Sequence, residues 1–214
     1  SPGSTTRDPD AVFIRFEAPL GLLVAGIQFN KEQHSPDGCF TQLYVAQAPI
    51  STLPRALQAD VPTPNGLAQG RFPSDIYGSS IWLGLEPTYT PWHRDPNPNL
   101  FCQLCGSKVV RTMPPWPGTR LFEEVQAKLG KGGSPRIRGE EMMQGPERRA
   151  LLDAVWGANT PQHMIEVEVN PRDVLFIPKG WWHSVRSTGP GGGLNASVNW
   201  WFRCKAVDKE AAGG

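Results

Sequence analysis

The sequence predicts an all-β sandwich or barrel into which two helices are inserted. Its 214 residues include 23 glycines and 22 prolines, which separate short runs of β-branched and aromatic residues. No segment repeats another, and this argues against a propeller or a solenoid. A chain of this length can bury one substantial core. We therefore expect one domain over residues 11–204, between flexible segments at residues 1–10 and 205–214.

Nine segments have the composition of β-strands. They are short, rich in β-branched and aromatic side chains, and bounded by turn-forming residues. The predicted strands are residues 12–16, 39–47, 80–85, 99–105, 108–113, 164–169, 174–177, 182–186 and 195–202.

Two segments are predicted as helices. The first covers residues 119–129 and ends before Gly130, a common residue just past a helix end. The second covers residues 146–156, with Pro146 in its first turn and Gly157 after its last residue.

The segment from Cys105 to Lys108 indicates a two-residue hairpin turn, because Gly106 can supply the positive φ that tight hairpins need. In that register Cys105 faces Lys108, and Asn99 converges with Lys108 on the same face as residues 101 and 103. A lysine that points inward is costly unless an anion meets it. A register shifted by one residue, with Lys108 reaching water, remains the alternative.

Charge and hydropathy exclude several functional classes. The formal net charge is +1, from 21 basic and 20 acidic residues, so no overall field attracts nucleic acid or anionic lipid. The longest mostly apolar run, residues 18–27, contains Pro19 and two glycines and is too short to span a bilayer. No basic-then-apolar export signal is visible. We expect an intracellular protein, cytoplasmic or nuclear, without a membrane partner.

The four cysteines, at positions 39, 102, 105 and 204, do not make a disulfide framework in a chain of this size. Cys102 and Cys105 have the spacing of half a zinc site, but the second pair that a tetrahedral site needs is absent. Both are predicted to be small core residues of one strand, and zinc binding is the less favoured alternative.

His93-Arg94-Asp95 is the most informative local motif. Residues i and i+2 of a strand share a face, so His93 and Asp95 can point at one ion while Arg94 points away. His183 lies in an aromatic segment that follows a Gly turn, which indicates a second strand. Two histidines and one carboxylate on one side of a metal leave positions open, as non-haem Fe(II) oxygenases require.

The other two histidines lie in polar surroundings. His34 is in the segment 31–38, and His163 follows Thr160-Pro161-Gln162. Both are predicted to be loop residues.

Taken together, six motifs resemble the JmjC-domain 2-oxoglutarate oxygenases, and in particular their small hydroxylase branch. The resemblance covers residues 44–202, and the motifs occur in the family's order and spacing. They are SIWLG at 80–84, TPWHRD at 90–95, NLF at 99–101, GSK at 106–108, FIP at 176–178 and WWH at 181–183.

This resemblance implies a double-stranded β-helix, the jelly-roll barrel of cupins, with a metal at its open mouth. It implies that His93, Asp95 and His183 are the catalytic ligands of Fe(II). The co-substrate 2-oxoglutarate would chelate the same ion, and Lys108 would meet its distal carboxylate. A buried dicarboxylate needs one cation and several neutral donors. The other co-substrate contacts implied are Tyr44, Thr90, Asn99, Asn199 and Trp201.

Alternation in the last predicted strand supports part of this assignment. Ser197, Asn199 and Trp201 share one face, and residues 196, 198 and 200 share the other. The polar face is predicted to line the pocket. Trp82 and Trp92 are candidates for a substrate rim, although tryptophans in a barrel also serve as core.

The function that the resemblance implies is hydroxylation of a protein or peptide side chain, by a chain that we expect to be a monomer. Demethylation of N-methyl-lysine and hydroxylation of a tRNA base use the same chemistry and remain open. The near-neutral charge mildly disfavours nucleic acid. Two further alternatives are a non-enzymatic binding barrel and a Zn(II) hydrolase that uses the same ligands.

Overall fold

The structure, a computed structural model, contains two antiparallel β-sheets with helices on their outer faces. It describes residue 14 and residues 16–41, 43–68, 74–130, 132–136 and 144–204. The predicted terminal segments 1–10 and 205–214 lie outside the described residues. So does most of the strand predicted at 12–16, of which Ile14 and Phe16 are described and are not in a strand.

The described part of the chain contains nine strands, five α-helices and two short 3₁₀ helices, Pro36–Gly38 and Ile50–Thr52. The strands are β1 (Tyr44–Pro49), β2 (Ser74–Leu85), β3 (Tyr89–Arg94), β4 (Asn99–Cys105), β5 (Lys108–Met113), β6 (Ile165–Val169), β7 (Val174–Ile177), β8 (Trp182–Ser187) and β9 (Leu194–Cys204). The helices are α1 (Gly21–Lys31), α2 (Arg55–Asp60), α3 (Asn65–Ala68), α4 (Pro115–Lys128) and α5 (Gly145–Trp156).

The strands alternate between the two sheets in the manner of a jelly roll. The first sheet has the order β1-β2-β9-β4-β7 and the second the order β3-β8-β5-β6. Every pairing between neighbouring strands is antiparallel. This arrangement confirms the predicted fold class, an all-β jelly-roll barrel with inserted helices.

Three apolar clusters hold the layers together. The cluster between the sheets contains Phe101, Val110, Val169, Ile177 and Val185. A second lies on the outer face of the first sheet, where the segment 50–67 covers residues of β2 and β9. A third lies on the outer face of the second sheet, under α4 and α5. The inner cluster leaves one end of the barrel free for polar side chains.

The hairpin predicted at Cys105–Lys108 is wrong. Gly106 does have a positive φ of 66°, but the turn carries the chain from the first sheet to the second, so β4 and β5 are not paired. Lys108 is instead the register partner of Val169 on β6 and of Ser187 on β8. It still faces Asn99, because the inner faces of the two sheets oppose each other. Cys105 is exposed rather than a core residue, whereas Cys102 is buried as predicted.

Helix α1 was not predicted from sequence, because Pro19 and its glycines resemble a loop. Its Gly26 allows close packing, since a Cβ there would lie 3.1 Å from Leu85 Cδ1. Its Asn30 donates Nδ2–H to the carbonyls of Phe40 and Gly192, at 2.7 and 2.9 Å. Asn30 thereby fixes the glycine-rich loop 189–193 against α1.

Helix α4 begins at Pro115, four residues before the predicted start. Proline is favoured in the first turn of a helix, where its missing N–H leaves no hydrogen bond unmade. The early start places Gly118 against the indole of Trp182, which is fully buried. A Cβ on Gly118 would lie 2.5 Å from Trp182 Cγ and 2.7 Å from its Cβ.

We expect Gly118→Ala to lower the free energy of unfolding by about 2 kcal/mol, because the added methyl group overpacks a filled core. The control is Gly21→Ala in α1, where an added Cβ meets nothing within 4 Å. Urea denaturation of both variants measures the difference. Equal stability of the two variants would contradict the described contact between α4 and β8.

In the described part of the chain, no helix is both long and apolar enough to cross a membrane.

Candidate metal centre

Three predicted ligands come together at one end of the barrel. His93 on β3 and His183 on β8 are register partners, and their ring centroids are 4.1 Å apart. Asp95 follows the end of β3. Its Oδ1 lies 4.0 Å from Nε2 of His93, and its Oδ2 lies 3.8 Å from Nε2 of His183. One ligand atom from each residue lies within 4.8 Å of the other two.

Both imidazoles are oriented by backbone carbonyls. Nδ1 of His93 is 2.8 Å from the carbonyl oxygen of Pro91, and Nδ1 of His183 is 3.2 Å from that of Trp181. A proton on Nδ1 can therefore be donated to each carbonyl, which leaves the lone pair of Nε2 free on the side of Asp95. This is the tautomer that metal-binding histidines use.

The Asp95 carboxylate is held by two N–H donors. Asn99 Nδ2 and Trp201 Nε1 each donate to Oδ2 at 2.9 Å. Burial by itself raises the pKa of Asp95, but the imidazoles of His183 and His93 and these two donors outweigh burial and lower it below its usual value. Asp95 is thus an ionised side chain with a fixed orientation.

His93 is neutral at physiological pH, as a metal-binding imidazole must be. Burial lowers its pKa, the nearby His183 lowers it further, and together they bring it to about 4 despite the opposing effect of Asp95. Two imidazoles and one carboxylate match the donor set of a divalent transition metal. Among the described residues this is the one cluster of His, Cys, Asp and Glu that could hold a metal ion. The side chains present therefore fit an Fe(II) ion.

The cluster opens into a cavity of about 250 Å³. All nine predicted site residues line it: His93, Asp95, His183, Tyr44, Thr90, Asn99, Lys108, Asn199 and Trp201. The structure therefore brings together every residue that the resemblance implied.

Lys108 lies inside the barrel with 2% of its surface exposed. Its Nζ donates to Ser197 Oγ at 2.7 Å and lies 5.5 Å from the centre of the Phe101 ring. Burial lowers the pKa of Lys108 to about 7, against an opposing effect of Glu86. Such a lysine is costly to bury, and a bound anion would offset that cost.

Other polar groups of the cavity also have hydrogen-bonding atoms that a ligand could use. Asn199 donates Nδ2–H to Asn99 Oδ1 at 2.7 Å, while its own Oδ1 is buried and has no hydrogen-bond partner among the described residues. The indole N–H of Trp82 is likewise buried and unpaired there. Tyr44 hydrogen-bonds Thr90, and burial raises the pKa of its phenol. The cavity thus offers a cation and unused donors and acceptors.

The two faces of β9 are as predicted. Ser197, Asn199 and Trp201 line the cavity, whereas Val198 and Trp200 belong to the outer apolar cluster. On β3, the guanidinium of Arg94 lies 5.7 Å from the Trp182 ring, but Arg94 also lines the cavity beside His93 and Asp95, which the prediction that it points away did not anticipate. Trp92 is fully buried against Trp182, so of the two roles considered for it, substrate rim and core residue, it has the second. Trp82 does line the cavity.

Sequence reasoning missed several cavity residues. Gln47 lies at a bulge of β1 and has a φ of 58°, a strained value for a residue other than glycine. Arg136 reaches the cavity from a segment held by a hydrogen bond from Arg94 N to the Pro135 carbonyl. Neither the bulge at Gln47 nor the position of the loop that carries Arg136 can be recognised from the local sequence. Tyr77, which precedes the SIWLG motif on the same strand, could have been found by extending that strand.

The other predicted loop residues lie away from the site. His34 and His163 are exposed and outside helices and strands, as predicted. The glycine-rich loop 189–193 also lies away from the site, where it packs against Asn30 and Cys39.

Comparisons with known proteins agree with the resemblance to JmjC-domain proteins. The sequence model of the cupin-like domain family matches residues 6–207. The chain is 29% identical over 162 residues to "Jumonji C domain-containing protein 5" of Drosophila melanogaster, covering 74% of this chain and 36% of that protein. It is 24% identical over 163 residues to "Lysine-specific demethylase JMJ30" of Arabidopsis thaliana, covering 76% and 34%.

A third relative is "Lysine-specific demethylase 8" of Danio rerio, which is 26% identical over 160 residues, covering 74% of this chain and 36% of that protein. The chain therefore spans about a third of the length of these relatives.

Proposed function

The chain belongs to the cupin-like domain family, in its JmjC branch, and we propose that it is an Fe(II)- and 2-oxoglutarate-dependent dioxygenase that hydroxylates a protein side chain. The observation that carries this proposal is a buried lysine in the same cavity as a cluster of two histidines and one aspartate. A barrel that served only to bind a partner would need neither.

When bound, iron and 2-oxoglutarate together supply the oxidation, in which O2 converts the co-substrate into succinate and CO2 and places one oxygen atom in a C–H bond. The protein's part is binding, orientation and electrostatics. His93, Asp95 and His183 would hold the metal from one side, leaving its other side open to the cavity.

Lys108 would bind and orient the distal carboxylate of the co-substrate. An ammonium group and neutral hydroxyl donors suit a buried carboxylate, and Tyr44, Thr90 and Ser197 provide such hydroxyls in the cavity. Asn99 and Trp201, which already donate to Asp95, would keep that ligand ionised and fixed. Asn199 would offer its unpaired oxygen to a donor beside the metal.

Lys108 also argues against a zinc hydrolase built on the same ligands. A hydrolytic site needs a metal-bound water and no second anion. A lysine enclosed in the barrel is unfavourable without a partner, so its presence in the cavity favours a diacid co-substrate.

Demethylation of N-methyl-lysine is the second candidate, because two of the relatives above are named lysine-specific demethylases. The same oxidant would hydroxylate the methyl carbon, and the product would lose formaldehyde. The Asp95 ligand favours simple hydroxylation by resemblance, since many demethylases of the family carry Glu at that position.

The test is succinate formation from 2-oxoglutarate by the Fe(II)-loaded protein, with peptide pools that include methylated lysines. We expect succinate in air and none under argon, with a peptide mass gain of one oxygen. A mass loss of one CH2 group with release of formaldehyde would establish demethylation instead. No succinate with any pool, or equal succinate under argon, would refute the dioxygenase proposal.

We expect the affinity for 2-oxoglutarate to fall about tenfold for each pH unit above 7. The pKa of Lys108 is lowered to about 7, so above that pH the free protein must take up a proton to present an ammonium group to the co-substrate. Calorimetric titration between pH 7 and 9 measures this slope, and Lys108→Met should lack it. An affinity that stays constant over this range in the unmodified protein would contradict the role of Lys108.

A further inference from the structure

A second buried ionisable group lies near Lys108. Glu86, directly after β2, has 2% of its surface exposed. Its Oε1 accepts a hydrogen bond from Asn195 Nδ2 at 2.7 Å. Asn195 also donates to the Ser107 carbonyl at 3.0 Å and accepts from Gln103 Nε2 at 3.1 Å. None of these groups lines the metal cavity. The network therefore belongs to the interior of the barrel behind it.

Contacts along strand β9 show where these groups lie relative to the metal ligands. Trp201 donates to Asp95, Ser197 accepts from Lys108, and Asn195 donates to Glu86. The three β9 residues share one face, and alternate residues of a strand are about 6.7 Å apart. Along this face, the β9 residue that contacts Lys108 lies between the residue that contacts Asp95 and the residue that contacts Glu86.

The backbone around Glu86 leaves room only for its carboxylate. A Cβ on Gly106 would lie 3.0 Å from Oε1, and a Cβ on Gly189 would overlap Oε2. Oε2, the oxygen that faces Gly189, is buried and has no hydrogen-bond partner among the described residues. Gly106 and Ser107 lead directly into Lys108, so the turn that contacts Glu86 is the turn that starts β5. The position of the carboxylate is therefore fixed relative to Lys108.

Several other titratable or charged residues line the cavity with Lys108. They are Tyr44, Tyr77, His93, Arg94, Asp95, Arg136 and His183. Phe101 and Ser197, which touch it from β4 and β9, are uncharged. Of the charged groups, Glu86 is the one that raises the pKa of Lys108, opposing the larger effect of burial. Burial raises the pKa of Glu86 above its usual value, although Asn195, Lys108 and the backbone of Gly189 oppose this effect.

We propose that Glu86 is a positioning residue whose buried carboxylate keeps Lys108 protonated and directed at the co-substrate pocket. The consequence of this inference, the capture of a diacid, rests on the proposed function. The interaction between the two charges depends only on the fold. Without Glu86, no carboxylate on this side would oppose the effect of burial, and the lysine would lose its proton at lower pH.

The pairing has a signature that a structural role would not produce. In Glu86→Gln, co-substrate binding should weaken above pH 7, where fewer lysines are protonated. At pH 5, where Lys108 is mostly protonated in both proteins, binding should be equal or tighter, because the carboxylate no longer repels the incoming diacid. A variant with a merely damaged fold would bind more weakly at every pH.

The test is a pH titration of Lys108 by NMR of protein labelled with 13C at the lysine ε-carbon, assigned with Lys108→Met. We expect the midpoint in Glu86→Gln to fall by about one pH unit. The control is Glu168→Gln, which removes an exposed carboxylate from β6 opposite Val109 and should leave the midpoint unchanged. Glu86→Asp, which keeps the charge, should stay near the unmodified protein. An unchanged midpoint in Glu86→Gln would overturn the inference.

A reciprocal measurement does not depend on the folding of Glu86→Gln. In Lys108→Met, the carboxyl carbon of Glu86 should titrate at higher pH than in the unmodified protein, because its cation is gone. An unshifted midpoint would overturn the inference. If both NMR shifts occur but the metal-loaded protein binds no 2-oxoglutarate at any pH, the pairing is supported and the proposed function fails.

Discussion

Replacing His183 by alanine is expected to lower the affinity for a divalent metal by more than about 100-fold and to abolish turnover of 2-oxoglutarate. Loss of a residue that merely orients a ligand costs about 10- to 100-fold in affinity, so loss of the ligand itself should cost more. His183 is nearly fully buried, and its Nδ1 is already used by the Trp181 carbonyl, so Nε2 is the atom that the metal would lose.

The matched control for this variant is His163→Ala. His163 is one of the four histidines of the chain, but it is exposed and outside the cluster. Titration with Co(II), followed by its visible absorption, reports metal binding without any need for turnover. If His183→Ala bound Co(II) as tightly as His163→Ala, the proposed ligand set would be wrong.

Replacing Lys108 by methionine is expected to weaken 2-oxoglutarate binding by about 100- to 1,000-fold while leaving Co(II) binding unchanged. Removing one partner of a buried, hydrogen-bonded charge pair costs about 2–5 kcal/mol, most of it from the charge left without a partner. The co-substrate's distal carboxylate would be that unpaired charge. Lys128→Met, at the exposed end of α4, is the control and should bind the co-substrate normally.

The same substitution should stabilise the protein in the absence of ligand. The pKa of Lys108 is lowered from 10.5 in the unfolded chain to about 7 in the folded protein. Between these values the unfolded chain binds more protons, so stability should rise with pH from about 7 towards 10.5. Methionine has no proton to lose, and Lys108→Met should be more stable at pH 7 and lack this rise. Weaker co-substrate binding together with lower stability would instead indicate a damaged fold.

The sequence was sufficient for the fold class and for most strands. Strands β4, β5 and β7 have the predicted bounds, because alternation and flanking turn residues define them locally. Helix α1 was missed because its stability depends on packing of Gly26 against Leu85 and on the bonds of Asn30, both of which are tertiary contacts. Local propensity carries no information about such contacts.

The candidate site was predictable for a different reason. His93 and Asp95 are two residues apart, and the resemblance supplied His183 and Lys108 from distant segments. The predicted hairpin register was wrong, yet Lys108 points inward, because both the hairpin and the true crossover between sheets place it on an inner face. Glu86 was not recognised as part of the site's environment, since its relation to Lys108 exists only once β9 has aligned Asn195 with Ser197.

The central claim is that one ion and one diacid occupy the same cavity, the ion on His93, Asp95 and His183 and the far end of the diacid on Lys108. A crystal structure of the protein with Mn(II) and N-oxalylglycine, an inert analogue of 2-oxoglutarate, tests it most directly. We predict an anomalous peak bonded to these three side chains and the analogue's distal carboxylate hydrogen-bonded to Lys108 Nζ. A peak on other residues, or an analogue that leaves Lys108 without a contact, would contradict the claim.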